Sequence, residues 1–407
     1  MNRKSRYKIV IDFKKSKSSY IYDRSRNKKY LDFFGQYASL AIGYNHSIFD
    51  SKEFINEIKY ISKQKIVNNE ILSIETKNFD KEFIKFNSGN NFTYTHYTCT
   101  GSLAVESAIK TAMDYKKIKN PNIISFKGNF HGINSYGGII SDRFGGVSKR
   151  LKGFPGNYWY KYKNPIITYK NNKIYQNLDL VRQILLQIED KIKKDKNTCC
   201  ILIEPIQCTN GDRYFSNQFF MGIRKIATKY DIPLIFDEIQ TGFCASGKNW
   251  YYQYTHIIPD ILIFGKKTQL SGIMVNKKFA KIFKTPIRLE VTWDGDVVDM
   301  VRCKYIIKAF NKYRVLMNVN KMASVFEKGL KEIQFLKNIR NSGLLFAFDL
   351  HKRIDINDFS SKLFKNEMLC NPTGNNTIRL RPHLFTTKKE IDEGLNRIND
   401  SIKVIAK

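Results

Sequence analysis

Residues 232–242 read IPLIFDEIQTG and residues 259–275 read PDILIFGKKTQLSGIMV. Each segment contains a short apolar run that ends in polar or charged residues, and CCILIE at 199–204 has the same form. Runs of this length are typical of buried strands. We predict strands over 199–204, 232–237 and 261–264, whose polar ends lie together at one edge of a sheet.

Helical segments alternate with these strands. The predicted helix 103–118 carries Ala104, Ala108 and Ala112 on one stripe, and it precedes a strand over 122–126. A second helix, 216–230, leads into the strand that ends at Asp237. This alternation predicts an α/β domain with a mostly parallel central sheet.

The order of elements changes after about residue 300. Helices are predicted over about 297–334 and strands over 344–350 and 377–381. The box Thr387-Lys388-Lys389-Glu390 opens a final helix. We therefore predict a smaller α+β unit here, preceded at the other end of the chain by an irregular basic arm and the apolar segment 31–46.

The chain has 407 residues, and 69 Lys+Arg against 37 Asp+Glu give it a net charge of +32. A hydrophobic fraction of 42% excludes wholesale disorder. No apolar run reaches the roughly 18 residues that a membrane span needs. Because the lysines are spread from end to end, a compositional bias of the surface is favoured over nucleic-acid binding, and polyanion binding stays a minor alternative.

Seven cysteines are present, an odd number without a CxxC pair. This pattern indicates reduced thiols rather than a disulfide framework or a metal site. The N-terminal residues lack an apolar stretch followed by a cleavage site of small residues. We expect a cytoplasmic protein with no bound metal.

Polar residues follow three of the predicted strands: Glu204, Asp237 and Lys266. A carboxylate and a lysine at neighbouring strand ends could form a structural ion pair, or they could be a base and a covalent nucleophile. The residues alone leave both interpretations open.

Two further segments could bind a ligand. Thr100-Gly101-Ser102 precedes a helix, so its backbone N–H groups could bind phosphate, although Ser102 could equally be an ordinary N-cap. Phe130 lies in a loop flanked by glycines and could stack on a flat ligand. A phosphate site, a stacking aromatic, a buried carboxylate and a lysine are together what pyridoxal 5′-phosphate (PLP) requires.

Over about residues 30–400 the sequence resembles the class-III aminotransferases, PLP enzymes of fold type I, and within them the lysine 6-aminotransferases. The resemblance lies in segments that follow one another in family order: TGSLAVESAIK (100–110), FHG (130–132), EPIQ (204–207), FDEIQTG (236–242), PDILIFGKKTQLSGIMV (259–275), the TW and VDMVR pieces within 292–302, and IRLRPHL (378–384). It implies a large PLP-binding domain at 51–295 and a small domain built from 1–50 and 296–407.

The resemblance also implies roles for individual residues. Lys266 matches the Schiff-base lysine, with Lys267 as the alternative, and Asp237 matches the partner of the pyridine nitrogen. The remaining cofactor positions are Gly101 and Ser102 at the phosphate, Phe130 with its neighbour His131 and Ile239 at the ring, Gln240 at the ring hydroxyl, and Thr292, which the family supplies to the phosphate from a second subunit. Arg379 matches the arginine of the substrate carboxylate, and Glu204 and Glu106 match supporting acids.

Two positions depart from the family pattern. Ile133 stands where lysine and 4-aminobutyrate aminotransferases have an arginine for the distal carboxylate of the substrate. Thr209 stands where relatives have a glutamate that pairs with the arginine matching Arg379. We therefore expect altered recognition of substrate carboxylates, with Arg143, Arg381 or another arginine of the loop 141–150 as candidates for a second anion.

The predicted function is transfer of an amino group from an amine or amino acid to a 2-oxo acid by a ping-pong exchange through Lys266. A homodimer with shared active sites is expected, and the apolar segment Phe33–Tyr44 is predicted to line its interface. A PLP racemase, epimerase or lyase would use the same residues. A non-catalytic, polyanion-binding protein that keeps the fold is the alternative from a different class.

Overall fold

The computed structural model describes residues 6–87, 89, 92–145, 151, 159–170 and 172–405. Its centre is a seven-stranded sheet. Among the described strands, Ser271–Val275 is antiparallel to both of its neighbours. The other neighbouring strands of this sheet pair in parallel. In spatial order the strands are Tyr94–Thr98, Ser271–Val275, Ile261–Phe264, Leu234–Asp237, Thr198–Ile203, Asn122–Phe126 and Lys161–Tyr162.

The parallel register aligns the carboxyl ends of the central strands. Asp237 pairs with Ile263 of the next strand, and Phe236 pairs with Ile203 on the other side. Every residue of these three strands is buried, which is why each appears in the sequence as an unbroken apolar run. The predicted mostly parallel sheet is confirmed.

Helices cover the central sheet and contribute apolar faces to its core. Helix Gly101–Lys116 buries Ala104, Ala108 and Ala112 as predicted, but it begins two residues before the predicted start because Thr100 caps it. The other helices in the first three hundred residues are Lys52–Ile61, Ile74–Phe86, Ser135–Ile140, Leu178–Lys194, Asn217–Lys229 and the single turn Ala280–Phe283.

The C-terminal part is the predicted α+β unit. Its antiparallel sheet has the order Leu336–Ser342, Leu345–Leu350, Thr377–Leu380 and Asn371–Thr373. Its helices are Val297–Lys312, Val315–Glu332, Ile356–Lys365 and Lys388–Ile405. The predicted capping box is present: the Thr387 N–H donates to Glu390 Oε2 at 2.7 Å, and the Glu390 N–H donates to Thr387 Oγ1 at 3.3 Å.

The prediction of an irregular N-terminal arm is wrong, because part of the arm forms β-strands. Strands Tyr20–Asp23 and Lys28–Asp32 form a hairpin, and Leu31 of the second strand pairs with Met368 in the strand Met368–Leu369. This pairing joins the two ends of the chain, and it is long-range information that the local sequence pattern does not carry. The domain boundaries at 50/51 and 295/296 stay a prediction.

The remaining strands form two short antiparallel pairs: Ile206–Gln207 with Arg213–Tyr214, and Thr168–Lys170 with Lys173–Tyr175. No helix in the described ranges is both long and apolar enough to cross a membrane. All seven cysteines are free thiols, as predicted.

Candidate active site

A cavity of about 210 Å³ opens where the carboxyl ends of the central strands meet. It brings together most of the predicted site, and its lining contains Gly101, Ser102, Phe130, His131, Glu204, Thr209, Asp237, Ile239, Gln240 and Lys266. Thr100, Gly132, Ile206 and Thr241 complete the lining.

Lys266 sits in a tight turn directly after the strand Ile261–Phe264. Its φ of +56° lies in the left-handed region, which a non-glycine residue adopts only where the surrounding structure holds it. Nζ donates to the carbonyl oxygen of Tyr37 at 2.9 Å. Burial lowers the pKa of Lys266 to about 8, and the nearby Arg379 charge lowers it further. The amine is therefore closer to its neutral, nucleophilic form than an exposed lysine.

Lys267 points elsewhere. Its Nζ donates to the carbonyl oxygens of Ala38 at 3.0 Å and Leu40 at 3.3 Å, and it is absent from the cavity lining as far as the described residues define it. Burial lowers the pKa of this lysine to about 7. Lys266 therefore lines the cavity, whereas Lys267 connects the turn to segment 38–40 by hydrogen bonds.

Asp237 is buried at the end of its strand and faces the cavity. His131 Nδ1 lies 2.8 Å from Asp237 Oδ2, and the Ile239 N–H donates to Oδ1 at 3.2 Å. The His131 N–H in turn donates to Ser141 Oγ at 2.8 Å. These contacts fix the orientation of the carboxylate, which is suited to hold a proton on a ring nitrogen.

Glu204 and Glu106 support the loop that carries Phe130. The Phe130 N–H donates to Glu204 Oε1 at 2.7 Å, and the Gly137 N–H donates to Glu106 Oε1 at 2.9 Å. Burial first, and then the charge of Asp237, raises the pKa of Glu204 well above its ordinary value. Glu204 thus favours its neutral form, and its contact is consistent with the supporting role.

The start of helix Gly101–Lys116 is built for an anion. Thr100 Oγ1 accepts from the Ser102 N–H at 3.1 Å, so Thr100 is the N-cap and the alternative of Ser102 as N-cap is wrong. This leaves the Ser102 hydroxyl at the cavity wall. An added Cβ on Gly101 would lie 2.9 Å from Ile239 Cδ1, so a larger residue here would require the Ile239 side chain to move.

The residues of the cavity fit PLP. A lysine amine, a fixed carboxylate and a helix N-terminus with a hydroxyl side chain line one cavity. Phe130 and Ile239 provide apolar surface for a planar ring. Within the described residues no group of three or more His, Cys, Asp or Glu side chains could hold a metal ion.

Arg379 lies in the strand Thr377–Leu380, and Arg381 directly follows it. The two arginines have different surroundings. Arg379 is buried, and its Nη1 donates to the Cys208 carbonyl oxygen at 2.9 Å. Burial, and then the Arg381 charge, lowers the pKa of Arg379 to about 10. Its charge also acts on the cavity residues Lys266 and Glu204, although Arg379 itself is not among the residues that line the cavity in the described part of the chain.

Arg381 is not available to a substrate, which corrects the expectation that it could meet a second anion. Its guanidinium forms a bidentate ion pair with the fully buried Asp212, with Nη1 at 3.0 Å from Oδ2. Nη1 also donates to the Phe346 carbonyl oxygen at 2.9 Å, and Nε donates to Gln240 Oε1 at 3.0 Å. This last contact leaves the Gln240 amide nitrogen as the donor that faces the cavity.

Three predicted residues, Thr292, Ile133 and Arg379, are absent from the cavity lining of the described chain. Thr292 and its neighbour Trp293 are exposed, and Ile133 is 53% exposed beside the cavity residue Gly132. Of the loop 141–150, Arg143 is described and lies near Glu204, whereas residues 146–150 are outside the described ranges.

Sequence reasoning missed three features of the site. Thr100 was detectable, because a threonine before Gly-Ser at a helix start is a typical N-cap. Asp212 was not, since its partner Arg381 is distant in sequence. The Tyr37 carbonyl that accepts from Lys266 lies in a turn where Gln36, Tyr37 and Ala38 all have positive φ, and nothing in their residue types indicates this conformation.

Lys266 and Asp237 lie at the ends of two neighbouring parallel strands and face a helix N-terminus. These are the groups that a PLP-dependent transferase requires. The family model "Aminotransferase class-III" matches residues 1–402. The chain belongs to the class-III aminotransferase family and is a PLP-dependent aminotransferase of fold type I.

Similar proteins agree with this family. The chain is 28% identical over 420 residues to the L-lysine-epsilon aminotransferase of Mycobacterium tuberculosis, covering 98% of this chain and 92% of the relative. It is 26% identical over 422 residues to that of Streptomyces clavuligerus, with coverage of 98% and 92%. The fold matches the structure "Lysine aminotransferase from M. tuberculosis in the internal aldimine form" with a TM-score of 0.92, 27% identity and coverage of 100% and 97%.

Proposed function

We propose that Lys266 is the residue that carries PLP and that the enzyme exchanges an amino group between an amine or amino acid and a 2-oxo acid by a ping-pong reaction. The observation that carries this assignment is the position of Lys266 Nζ, which reaches the cavity that Asp237 and the helix N-terminus also face. When bound, PLP supplies an electron sink that stabilises negative charge on the substrate carbon.

The chain's own residues bind the cofactor and move protons. Lys266 Nζ, with its lowered pKa, takes the proton from the substrate carbon and returns it, since burial favours its neutral form. Asp237 would hold a proton on the ring nitrogen, and Phe130 and Ile239 would provide the apolar surface for the ring. His131 orients Asp237, Gln240 donates to the ring hydroxyl, and Gly101 and Ser102 bind the phosphate.

The second subunit completes the phosphate site in this proposal. Thr292 is exposed and remote from the cavity of its own chain, which suits a residue that serves the neighbouring site. Trp293 is 54% exposed and Tyr37 is 58% exposed, so both offer apolar surface to a partner. The segment Phe33–Tyr44 contributes less than expected, because Phe33, Phe34, Ala41 and Ile42 are buried in the chain's own core.

The shared site predicts complementation between two inactive chains. Lys266→Ala lacks the reacting amine, and Thr292→Asp places a negative charge against the phosphate of the neighbouring site. A mixed dimer should contain about one intact site and one doubly damaged site. Activity assays before and after mixing unfolded and refolded chains check this. Light scattering should show a dimer, and a monomer, or mixed chains that stay inactive, would contradict the shared site.

Substrate recognition is the part of the function where the chain differs from its family. We propose that Arg379 binds a substrate carboxylate and that Thr209, which lines the cavity, leaves Arg379 without the acid that relatives place there. Ile133 offers no donor to a distal carboxylate. Burying such a carboxylate without a partner costs roughly 1–3 kcal/mol.

We expect lysine with 2-oxoglutarate to react poorly compared with a pair of monocarboxylic substrates. Ile133→Arg should raise kcat/KM for the lysine–2-oxoglutarate pair by about tenfold or more, because it restores a charged donor. Ile133→Met is the matched control, because it adds length without charge. It should leave kcat/KM for the lysine–2-oxoglutarate pair unchanged. Efficient lysine–2-oxoglutarate exchange by the unmodified enzyme would refute this substrate assignment.

We propose that the enzyme works in the cytoplasm. The seven free thiols support this location, because a reducing compartment keeps such cysteines from forming disulfides.

A further inference from the structure

Arg143 is linked to the segment Cys208–Thr209 through Thr373. Its Nη2 donates to Thr373 Oγ1 at 2.7 Å, and Thr373 Oγ1 donates to the Thr209 carbonyl oxygen at 2.8 Å. The guanidinium carbon lies 5.2 Å from the ring centre of Phe144. That ring meets the ring of the cavity residue Phe130 edge to face at 5.8 Å. These contacts connect Arg143 to two residues of the cavity lining, Thr209 and Phe130.

Arg379 approaches the same segment from the other side. It donates directly to the Cys208 carbonyl oxygen at 2.9 Å, whereas Arg143 reaches the Thr209 carbonyl oxygen through Thr373. The two guanidinium groups are therefore held by carbonyl groups of adjacent residues. The Arg143 charge is one of the causes that lower the pKa of Arg379, after burial and Arg381. The two positive charges are therefore close enough to repel each other.

Three polar atoms at this place lack a partner. Within the described part of the chain, Arg143 Nε, Arg379 Nε and Thr209 Oγ1 are buried and make no hydrogen bond. A buried donor on a charged group is costly when it is unsatisfied, and here three different parts of the chain each contribute one free group. All three can donate to an anion.

The neighbouring acids neutralise this pair only in part. Glu204 and Asp142 are the carboxyl groups that act on Arg143. The raised pKa of Glu204 keeps it largely neutral, so Asp142, whose Oδ2 accepts from the Gly128 N–H at 2.8 Å, offsets at most one of the two positive charges. Asp212, whose charge acts on Arg379, is already the bidentate partner of Arg381. The site therefore has an excess of positive charge that a bound carboxylate would balance.

We propose that Arg143, Arg379 and the Thr209 hydroxyl form a clamp for one carboxylate, and that the amino donor is therefore an α-amino acid rather than an ω-amine. The inference rests on the proposed role of Lys266, because it places the clamped carboxylate next to the carbon that reacts there. An α-amino acid and its 2-oxo acid both carry this carboxylate, so the clamp binds the substrate of each half-reaction. An ω-amine would leave both guanidinium groups unpaired beside an apolar chain.

Equilibrium binding tests the clamp without turnover. Calorimetry on the PLP-loaded enzyme should compare 4-methylpentanoate with 4-methylpentanamide, which differ in charge and share their shape. We expect Arg143→Gln to weaken binding of the acid about tenfold or more and to leave binding of the amide unchanged. Arg143→Lys should restore part of the affinity, and Arg182→Gln, at a solvent-exposed arginine of helix Leu178–Lys194, should have no effect. Equal affinity for the acid in Arg143→Gln and the unmodified enzyme would overturn the clamp.

A substitution at Thr209 tests the substrate class. Thr209→Glu places a carboxylate among the guanidinium groups, so it should weaken binding of 4-methylpentanoate about tenfold and reduce the preference for leucine over pentylamine. Thr209→Gln has the same length as glutamate without the charge, so it should reduce the preference less than Thr209→Glu does. An unmodified enzyme that reacts equally well with leucine and pentylamine would overturn the inference.

The clamp and the role of Lys266 can fail separately. Borohydride labelling of Lys266 in each variant reports the cofactor site independently of carboxylate binding. Labelling on Lys266 together with unchanged carboxylate affinity in Arg143→Gln rejects the clamp alone. Loss of labelling in the unmodified enzyme rejects the proposed function itself.

Discussion

Lys266→Ala should lower the rate of amino transfer by about a thousandfold or more, since it removes both the covalent attachment and the group that moves the proton. The purified unmodified enzyme should be yellow, and the variant should lose the visible absorbance that depends on attachment to Lys266. The measurement is single-turnover kinetics with a saturating amino acid, which separates the chemical step from product release.

Lys267→Met is the matched control for this substitution. Lys267 has a lowered pKa as well, but its Nζ is used by the carbonyl oxygens of Ala38 and Leu40. We expect the variant to keep its colour and most of its activity, and to lose roughly 1–3 kcal/mol of stability because two buried acceptors lose their donor. A variant Lys267→Met that loses the cofactor while Lys266→Ala retains it would reverse the assignment.

Asp237→Asn should leave the cofactor attached and reduce kcat by about a hundredfold or more. A neutral amide cannot hold the proton on the ring nitrogen, so the ring becomes a weaker electron sink. The position of the side chain should change little, because His131 and the Ile239 N–H can still bind it. Single-turnover rates and the visible spectrum of the variant provide the measurement.

Glu204→Gln tests whether catalysis depends on Asp237 specifically or on any carboxyl group in the cavity. Glu204 is the neighbouring buried carboxyl group, and its raised pKa favours the neutral form that glutamine imitates. We expect a much smaller loss of kcat than in Asp237→Asn. Equal losses in both variants would contradict the specific role of Asp237.

The sequence predicted the centre of the site because the parallel sheet itself assembles it. Glu204, Asp237 and Lys266 each follow a buried apolar run, and the strand register places all three at one edge. Their proximity needs no long-range information beyond the order of the strands. The family resemblance then added residues on loops, such as Phe130 and Gln240, that line the same cavity.

Other features depended on contacts between distant parts of the chain. The N-terminal hairpin gains its place by pairing Leu31 with Met368, and the expected irregular arm missed it. Arg381 looked like a free cation in the sequence, whereas Asp212 binds it 169 residues away. The unpaired donors of Arg143 and Arg379 are likewise visible only once the fold brings them to one segment.

The central claim is that Lys266 carries the cofactor of this aminotransferase. The most direct test is to reduce the PLP-loaded enzyme with borohydride, digest it and locate the modified lysine by peptide mass analysis. We expect the cofactor on Lys266 and loss of this labelling when an amino acid substrate is added before the reductant. A cofactor found on Lys267, or on no lysine of the chain, would contradict it.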